Sequence, residues 1–246
     1  MGNKIQNIYI WANKVRPVTP APWWQPDPSR TLLYLKFNNN LNDDSGNNRT
    51  VTGNWFGYWV IGNNYYVEKT ATSYSSTYIN PSPASMNTVI GSGDFTVSLF
   101  FFNKTHTSSS PMLFWEWQNS NPPFHWIYIL ANGDETIWMY TTNNDFHANP
   151  QMVASFESWH HLVFTRISWV CYRYIDWAFI DSYSNSIDFN TYPWDTFFLL
   201  NRSTYSWHSW ANVTWWKISE VIFEKVWWSN DEVATYFSQQ KANYWL

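Results

Sequence analysis

The sequence predicts an all-β protein: a two-sheet antiparallel jelly-roll sandwich with a short C-terminal helix. Three observations carry that prediction. Between Trp159 and Ile180, two runs rich in β-branched and aromatic residues flank a break at Ile167-Ser168-Trp169, the pattern of a β-hairpin. Residues 94–102 alternate, with Phe95, Val97, Leu99 and Phe101 on one face and Thr96 and Ser98 on the other. A helical pattern stands at the C-terminus, behind Ser229.

The chain has 246 residues, enough for one large β domain with a full core. Its organisation reads as an N-terminal segment with a Pro-rich linker over 1–30, followed by the sandwich over 31–246. In the first part, 5–10 has strand character. Residues 17–28 hold five prolines, which fix φ and remove donors, so a stiff extended connector is expected. The main domain opens with a strand over 31–37. Residues 38–48, NNNLNDDSGNN, form a loop of residues that make Asx turns or accept left-handed backbone. Beyond it, 65–86 is rich in Ser, Thr and Tyr, and only 76–79 reads as a short strand.

After the alternating strand come three candidates over 112–117, 126–130 and 136–140, the last two joined by Asn132-Gly133, a strong hairpin signal. A polar loop over 143–150 leads into the long hairpin. There a second tight reversal is expected at Asp176-Trp177, before a strand that starts with Ala178-Phe179-Ile180. Residues 217–225, KISEVIFEK, form the last strand. Ser229 and Glu232 then fit a capping box, with Val233, Ala234, Tyr236 and Phe237 giving a short amphipathic helix.

Composition excludes several function classes. Only 13% of residues are charged, the net charge is −4, and Lys and Arg are scattered singly, so no nucleic-acid partner is expected. No apolar run approaches the ~18 residues needed to cross a bilayer, so no membrane insertion is expected. The N-terminus lacks an apolar core typical of a cleaved secretory signal. Cys171 is the single cysteine and lies in a predicted strand, where it reads as a small buried apolar residue. No Gly-x-Ser-x-Gly, His-Glu-x-x-His or phosphate-binding Gly-rich loop is present, and no catalytic residue is assigned.

Four ordered blocks resemble the laminin-G-like (concanavalin A-like lectin) jelly-roll family. They are Leu32-Leu33-Tyr34-Leu35-x-Phe37 with Leu41-Asn42-Asp43-x-Ser45-Gly46; Gly93-Asp94-Phe95-Thr96-x-Ser98; Trp159-His160-His161 with its hairpin ending in Tyr174-Ile175-Asp176; and the last strand with its capped helix. The resemblance covers about residues 31 to 240. It implies a non-catalytic recognition module that binds glycan or protein ligands at an extracellular, cell or virion surface. Residues 8–17 resemble short N-terminal segments of phage-type structural proteins. That implies the alternative, an assembly component docked through its N-terminal segment, for which a homo-oligomer is one expected state.

Candidate site residues are few. Trp115, Trp117 and Trp126, if exposed, offer faces on which a sugar ring can stack; otherwise they are core. Asp43 and Asp44 supply hard oxygens of the kind that suit Ca²⁺, and many laminin-G-like relatives carry a calcium at the rim, although solvated turn acids are the simpler reading. His160 and His161 are neighbours in a strand, so they point to opposite faces and do not chelate one metal together.

One anomaly remains. The chain has 20 Trp and only 8 Gly, whereas Gly averages about 7% of residues and a β protein with many turns needs it. Trp177 stands where the family has the Gly of an Asp-Gly turn, and Trp11, Trp207, Trp210 and Trp227 also fall where small or polar turn residues are expected. Two explanations fit: opal codons that the source organism reads as glycine, or a Trp-rich chain that binds through surface indoles. Trp159 stands apart as an expected core residue.

Overall fold

A computed structural model of the protein describes residues 24–54, 56–69, 78–82, 92–105, 112–117, 127–131, 135–141, 152–184, 196–199 and 217–246. Within them the strands are β1 (Thr31–Leu35), β2 (Thr50–Asn54), β3 (Phe56–Ile61), β4 (Asn64–Lys69), β5 (Tyr78–Ser82), β6 (Phe95–Asn103), β7 (Met112–Trp117) and β8 (Ile127–Ala131). They continue as β9 (Thr136–Thr141), β10 (Met152–Val153), β11 (Ser158–Ile167), β12 (Val170–Ile175), β13 (Ala178–Ser184), β14 (Thr196–Leu199) and β15 (Lys217–Glu224). One helix, α1 (Asn230–Gln240), and a single 3-10 turn, Lys241–Tyr244, complete the described chain. The expected strand at 5–10, the turn at 132–133 and the loop at 143–150 lie outside the described residues.

The strands form two antiparallel sheets, as predicted. One runs β13-β12-β11-β6-β15-β4-β3, and β1 pairs with β15 beyond the short β4 contact. The other runs β10-β9-β8-β7-β14-β5-β2. The inner core collects Val97, Leu99, Phe101, Leu162, Phe164 and Phe223 from the first sheet with Ile79, Ile137 and Met152 from the second. Cys171 is buried there, outside any disulfide.

The hairpins follow the sequence signals closely. Pairing of Ile167 with Val170 leaves the two-residue loop Ser168-Trp169, and pairing of Ile175 with Ala178 leaves Asp176-Trp177. Positive φ at both residues of both loops (47° and 68°; 47° and 71°) is what a type I′ turn requires. The Ser229 hydroxyl accepts from the Glu232 amide, and the Glu232 carboxylate accepts from the Ser229 amide, completing the capping box.

Two features go beyond the expectation. Thr96, Ser98 and Phe100, on the second face of β6, are fully buried. A second core covers that face: Phe100, Trp159, Val163, Tyr174 and Ile222 from the sheet meet Trp228, Val233, Tyr236 and Phe237 from the C-terminal region. Trp24 joins this cluster, with ring contacts to Tyr34, Trp228 and Tyr236. The packed body of described residues therefore takes in 24–30 as well: the amides of Arg30 and Thr31 donate to the Asp27 carbonyl, and Lys225 donates to that of Arg30.

Candidate functional site

Three places bring polar side chains together. The first is the rim loop between β1 and β2. Asp43 organises it: Oδ1 accepts from the amides of Tyr34 (3.1 Å) and Ser45 (3.0 Å), and Oδ2 from that of Arg49 (3.2 Å). The Asp44 amide donates to the Tyr34 carbonyl at 2.8 Å. Arg49 Nε donates to the Leu32 carbonyl at 2.7 Å, and Asn47 Nδ2 to that of Thr31 at 2.6 Å. Gly46 sits at φ +87°, where an added Cβ would come within 2.5 Å of Pro28. These bonds staple the loop to β1 from both ends, so its shape is set before any ligand arrives.

The stapled loop walls a cleft of about 660 Å³, within the range of small-ligand sites. Asn42, Asp43, Asp44, Asn48, Arg49 and Thr50 line it, with Leu41 and Val51 at its apolar edge. Asn42, Asn48 and Thr50 are exposed. Asp44 makes one loose ion pair with Lys36 at 3.8 Å, in which both side chains are about 40% exposed (38% and 41%). The cleft thus presents amide, carboxylate, guanidinium and hydroxyl groups together, the mixture of donors and acceptors that matches a polyhydroxylated ligand.

The second place surrounds His160, where Ser155, His160 and Asp176 lie in the order of a nucleophile, a base and its orienting acid. His160 Nδ1 is 2.7 Å from Asp176 Oδ2, and Nε2 is 3.2 Å from Ser155 Oγ. Nε2 is also 3.0 Å from the Ser155 carbonyl, which only accepts. The carbonyl thus competes with the hydroxyl for Nε2, unlike the single nucleophile–base hydrogen bond of a catalytic triad. The group works as a clamp: the same Asp176 accepts from the His161 amide through Oδ1 (2.8 Å), tying the hairpin turn to β11 and to the segment before it.

The third place is buried under α1. His161 stacks on Phe100 and Phe237 and meets Ser98 Oγ at 2.8 Å. Burial pulls its imidazole down to about 3, against a smaller upward pull from Asp176. Glu220 stands on a bulge of β15 with φ +48°. Its carboxylate accepts from the Tyr34 hydroxyl at 2.7 Å and lies 3.4 Å from that of Tyr244. Burial raises the Glu220 carboxyl above its ordinary value, opposed by these hydrogen bonds, and burial likewise raises the phenols of Tyr236 and Tyr244. Enclosed by aromatic rings and closed to ligands, this group serves packing.

The sequence-derived candidates divide. Asp43 and Asp44 both line the rim cleft, but Asp43 spends its oxygens on three backbone amides. Among the described residues, no group of three or more His, Cys, Asp and Glu stands close enough to hold a metal. Trp115 and Trp117 lie on β7, in the second sheet, with backbone pairing to β8 and β14. Trp126 lies outside the described residues. His160 and His161 face opposite sides of the sheet, as expected. Asn48, Arg49 and Thr50 escaped the sequence reading, although the positive φ of Asn48 (52°) belongs to the Asx-rich loop signal.

No protein-family model matches the chain, and no curated protein matches it in sequence. Solved structures do share its fold. It is similar to the binding domain of botulinum neurotoxin serotype G, with a TM-score of 0.64 and 13% identity over 86% of this chain and 51% of that one. Domain 4 of AbnA, a GH43 extracellular arabinanase from Geobacillus stearothermophilus solved with arabinotriose, gives a TM-score of 0.60 and 19% identity over 83% of this chain and 97% of that one. A Trypanosoma rangeli sialidase mutant displaying trans-sialidase activity gives 0.64 and 11% identity over 89% of this chain and 34% of that one. The chain spans about half the length of the toxin binding-domain structure and matches the arabinanase domain almost end to end. Among the described residues, no helix is long and apolar enough to cross a membrane.

Proposed function

We propose that this chain is a non-catalytic recognition module of the laminin-G-like, concanavalin A-like kind, which binds a glycan at an extracellular, cell or virion surface. The observation that carries this reading is the rim cleft, whose exposed Asn42, Asn48 and Thr50 and half-exposed Asp44 stand on a loop already held in shape by Asp43. Preorganised polar groups suit sugar hydroxyls because the loop loses little freedom on binding. Similar sandwiches include one from botulinum neurotoxin type C, whose cell entry is described as dependent upon interaction with two ganglioside molecules, and an arabinanase domain solved in complex with arabinotriose, which supports a sugar as the ligand class. A toxin binding domain in complex with synaptotagmin II supports protein as the next candidate. Calcium enters as an arm of the test, through Asp44 and the loop carbonyls.

A glycan array probed with the full chain, with and without Ca²⁺, tests the proposal. Selective binding that Asn42→Ala and Asp44→Ala abolish supports it; silence across the array in both conditions overturns it. One observation favours the second reading, an assembly component. Buried Trp24 fastens the end of the N-terminal segment to the body. Sedimentation of the full chain decides: a defined homo-oligomer without glycan binding supports assembly, and a monomer that binds glycan supports recognition.

A further inference from the structure

Among the described residues, eleven other than Gly have positive φ, and three of them are tryptophans: Trp169 (68°), Trp177 (71°) and Trp245 (58°). In this region an L side chain crowds its own backbone; Gly has no Cβ to crowd, and Asn or Asp offsets the clash with a local hydrogen bond. Indole has neither remedy. All three positions are ones that local geometry assigns to glycine. Trp169 and Trp177 are the second residues of two-residue type I′ loops, and Trp245 is the left-handed residue that closes the C-terminal 3-10 turn.

The three also differ from the core indoles in exposure. Trp169, Trp177 and Trp245 are 40%, 57% and 79% exposed, whereas Trp24, Trp159 and Trp228 are 3%, 4% and 1% exposed. None of the buried three is in the left-handed region. Trp59, 51% exposed on β3, is likewise outside the left-handed region, so it is the backbone and not exposure alone that singles out the three. The chain total of 20 Trp against 8 Gly is what results if some glycines are written as tryptophan.

We propose that residues 169, 177 and 245 are glycine in the native protein, their codons being read as glycine by the cells that make it and as tryptophan in the written sequence. Trp227, which the sequence had also singled out, is not in the left-handed region and is outside the proposal. Functionally, the exposed indoles at the two hairpin tips then cease to be a platform for stacking sugars, which favours the rim cleft among the described residues as the ligand-facing feature.

Peptide mass spectrometry of the protein from its source cells tests this. Trypsin releases 167–173, 174–202 and 242–246 as peptides that carry the three positions. The proposal expects glycine masses at 169, 177 and 245 and tryptophan at the buried position 159; tryptophan at the three turn positions overturns it. The full chain made both ways gives a second readout. The triple variant W169G/W177G/W245G is expected to melt several degrees higher than the chain as written, and an equal or lower melting temperature removes the physical ground. W177A serves as a control, because Ala removes the indole but keeps the Cβ, and it should not reproduce the gain.

Discussion

The two polar regions of this sandwich, the cluster under α1 and the rim loop 38–51, spend similar residues on opposite tasks. Under the helix, Glu220 pairs with Tyr34 and Tyr244, and Ser98 with His161, beneath aromatic rings, leaving only His161 Nδ1 unpartnered among these side chains. In the rim loop, one buried-side acid, Asp43, satisfies the backbone, and its neighbours Asn42, Asp44 and Thr50 are left facing solvent. The difference teaches that polarity alone does not mark a site. What marks one is polarity that the fold holds still and does not use up. If that contrast holds, changes under α1 alter stability, and changes at the rim alter binding.

The largest expected effect is at Trp228. Its ring meets Trp24 and Tyr236, and Nε1 donates to the buried Glu224 Oε2 at 2.6 Å. Trp228→Ala removes that packing and the donor to Oε2, while Oε1 keeps Thr31 and Arg30, so a loss of about 3–5 kcal/mol is expected in a denaturant titration. A loss below 1 kcal/mol would mean that the outer cluster is not a core.

The same region predicts a pH response of mixed sign. His161 is held down to about 3 by burial, whereas in the unfolded chain it titrates near 6.5. The unfolded state therefore binds the extra proton first, and this contribution is full above 6.5 and lost as pH falls towards 3. Within that window the unfolding constant should rise by about tenfold per pH unit. Glu220 is raised, so its contribution runs the other way: present below the ordinary carboxyl value of 4.5, and lost as pH rises through the folded value. Melting curves of the Glu220→Gln chain should lack the second limb and keep the first; a variant that loses both limbs would show that the two groups are coupled.

Smaller effects sharpen the boundary between the regions. Ser229→Ala removes the helix cap and should cost about 1 kcal/mol, read as a lower midpoint of unfolding. Trp177→Gly relieves left-handed backbone at an exposed turn and should add about 1 kcal/mol. Asn42→Ala and Asp44→Ala touch only solvent and a loose ion pair, so each should change stability by no more than about 0.5 kcal/mol. A greater loss at either would move the rim residues into the structural class.

Much of the first sheet was legible because its strands are long and alternate cleanly. Ser158–Ile167, Phe95–Asn103 and Lys217–Glu224 all fall where periodicity puts them. Thr50–Asn54, Phe56–Ile61, Asn64–Lys69 and Thr196–Leu199 were not read as strands. The first carries Gly and Asn, the last has four residues, and the hairpin between β3 and β4 turns on Gly62-Asn63, a signal present in the sequence but not used. The outer core was hidden for another reason. Alternation shows that Phe100 faces away from Leu99, but not that α1 lies over it. Trp24 was hidden by its prolines, which suit a linker and a tethered strap equally. At the candidate site, the Asx-rich loop was visible, while the donation of three amides to Asp43 depends on β1 lying alongside, which no local pattern shows.

The most direct test of recognition through the rim is a calorimetric titration of one array-selected glycan into the full chain and into its N42A/D44A variant, with melting curves recorded for both. The account predicts at least tenfold weaker binding by the variant at an unchanged melting temperature. Equal affinity in the two chains would contradict it.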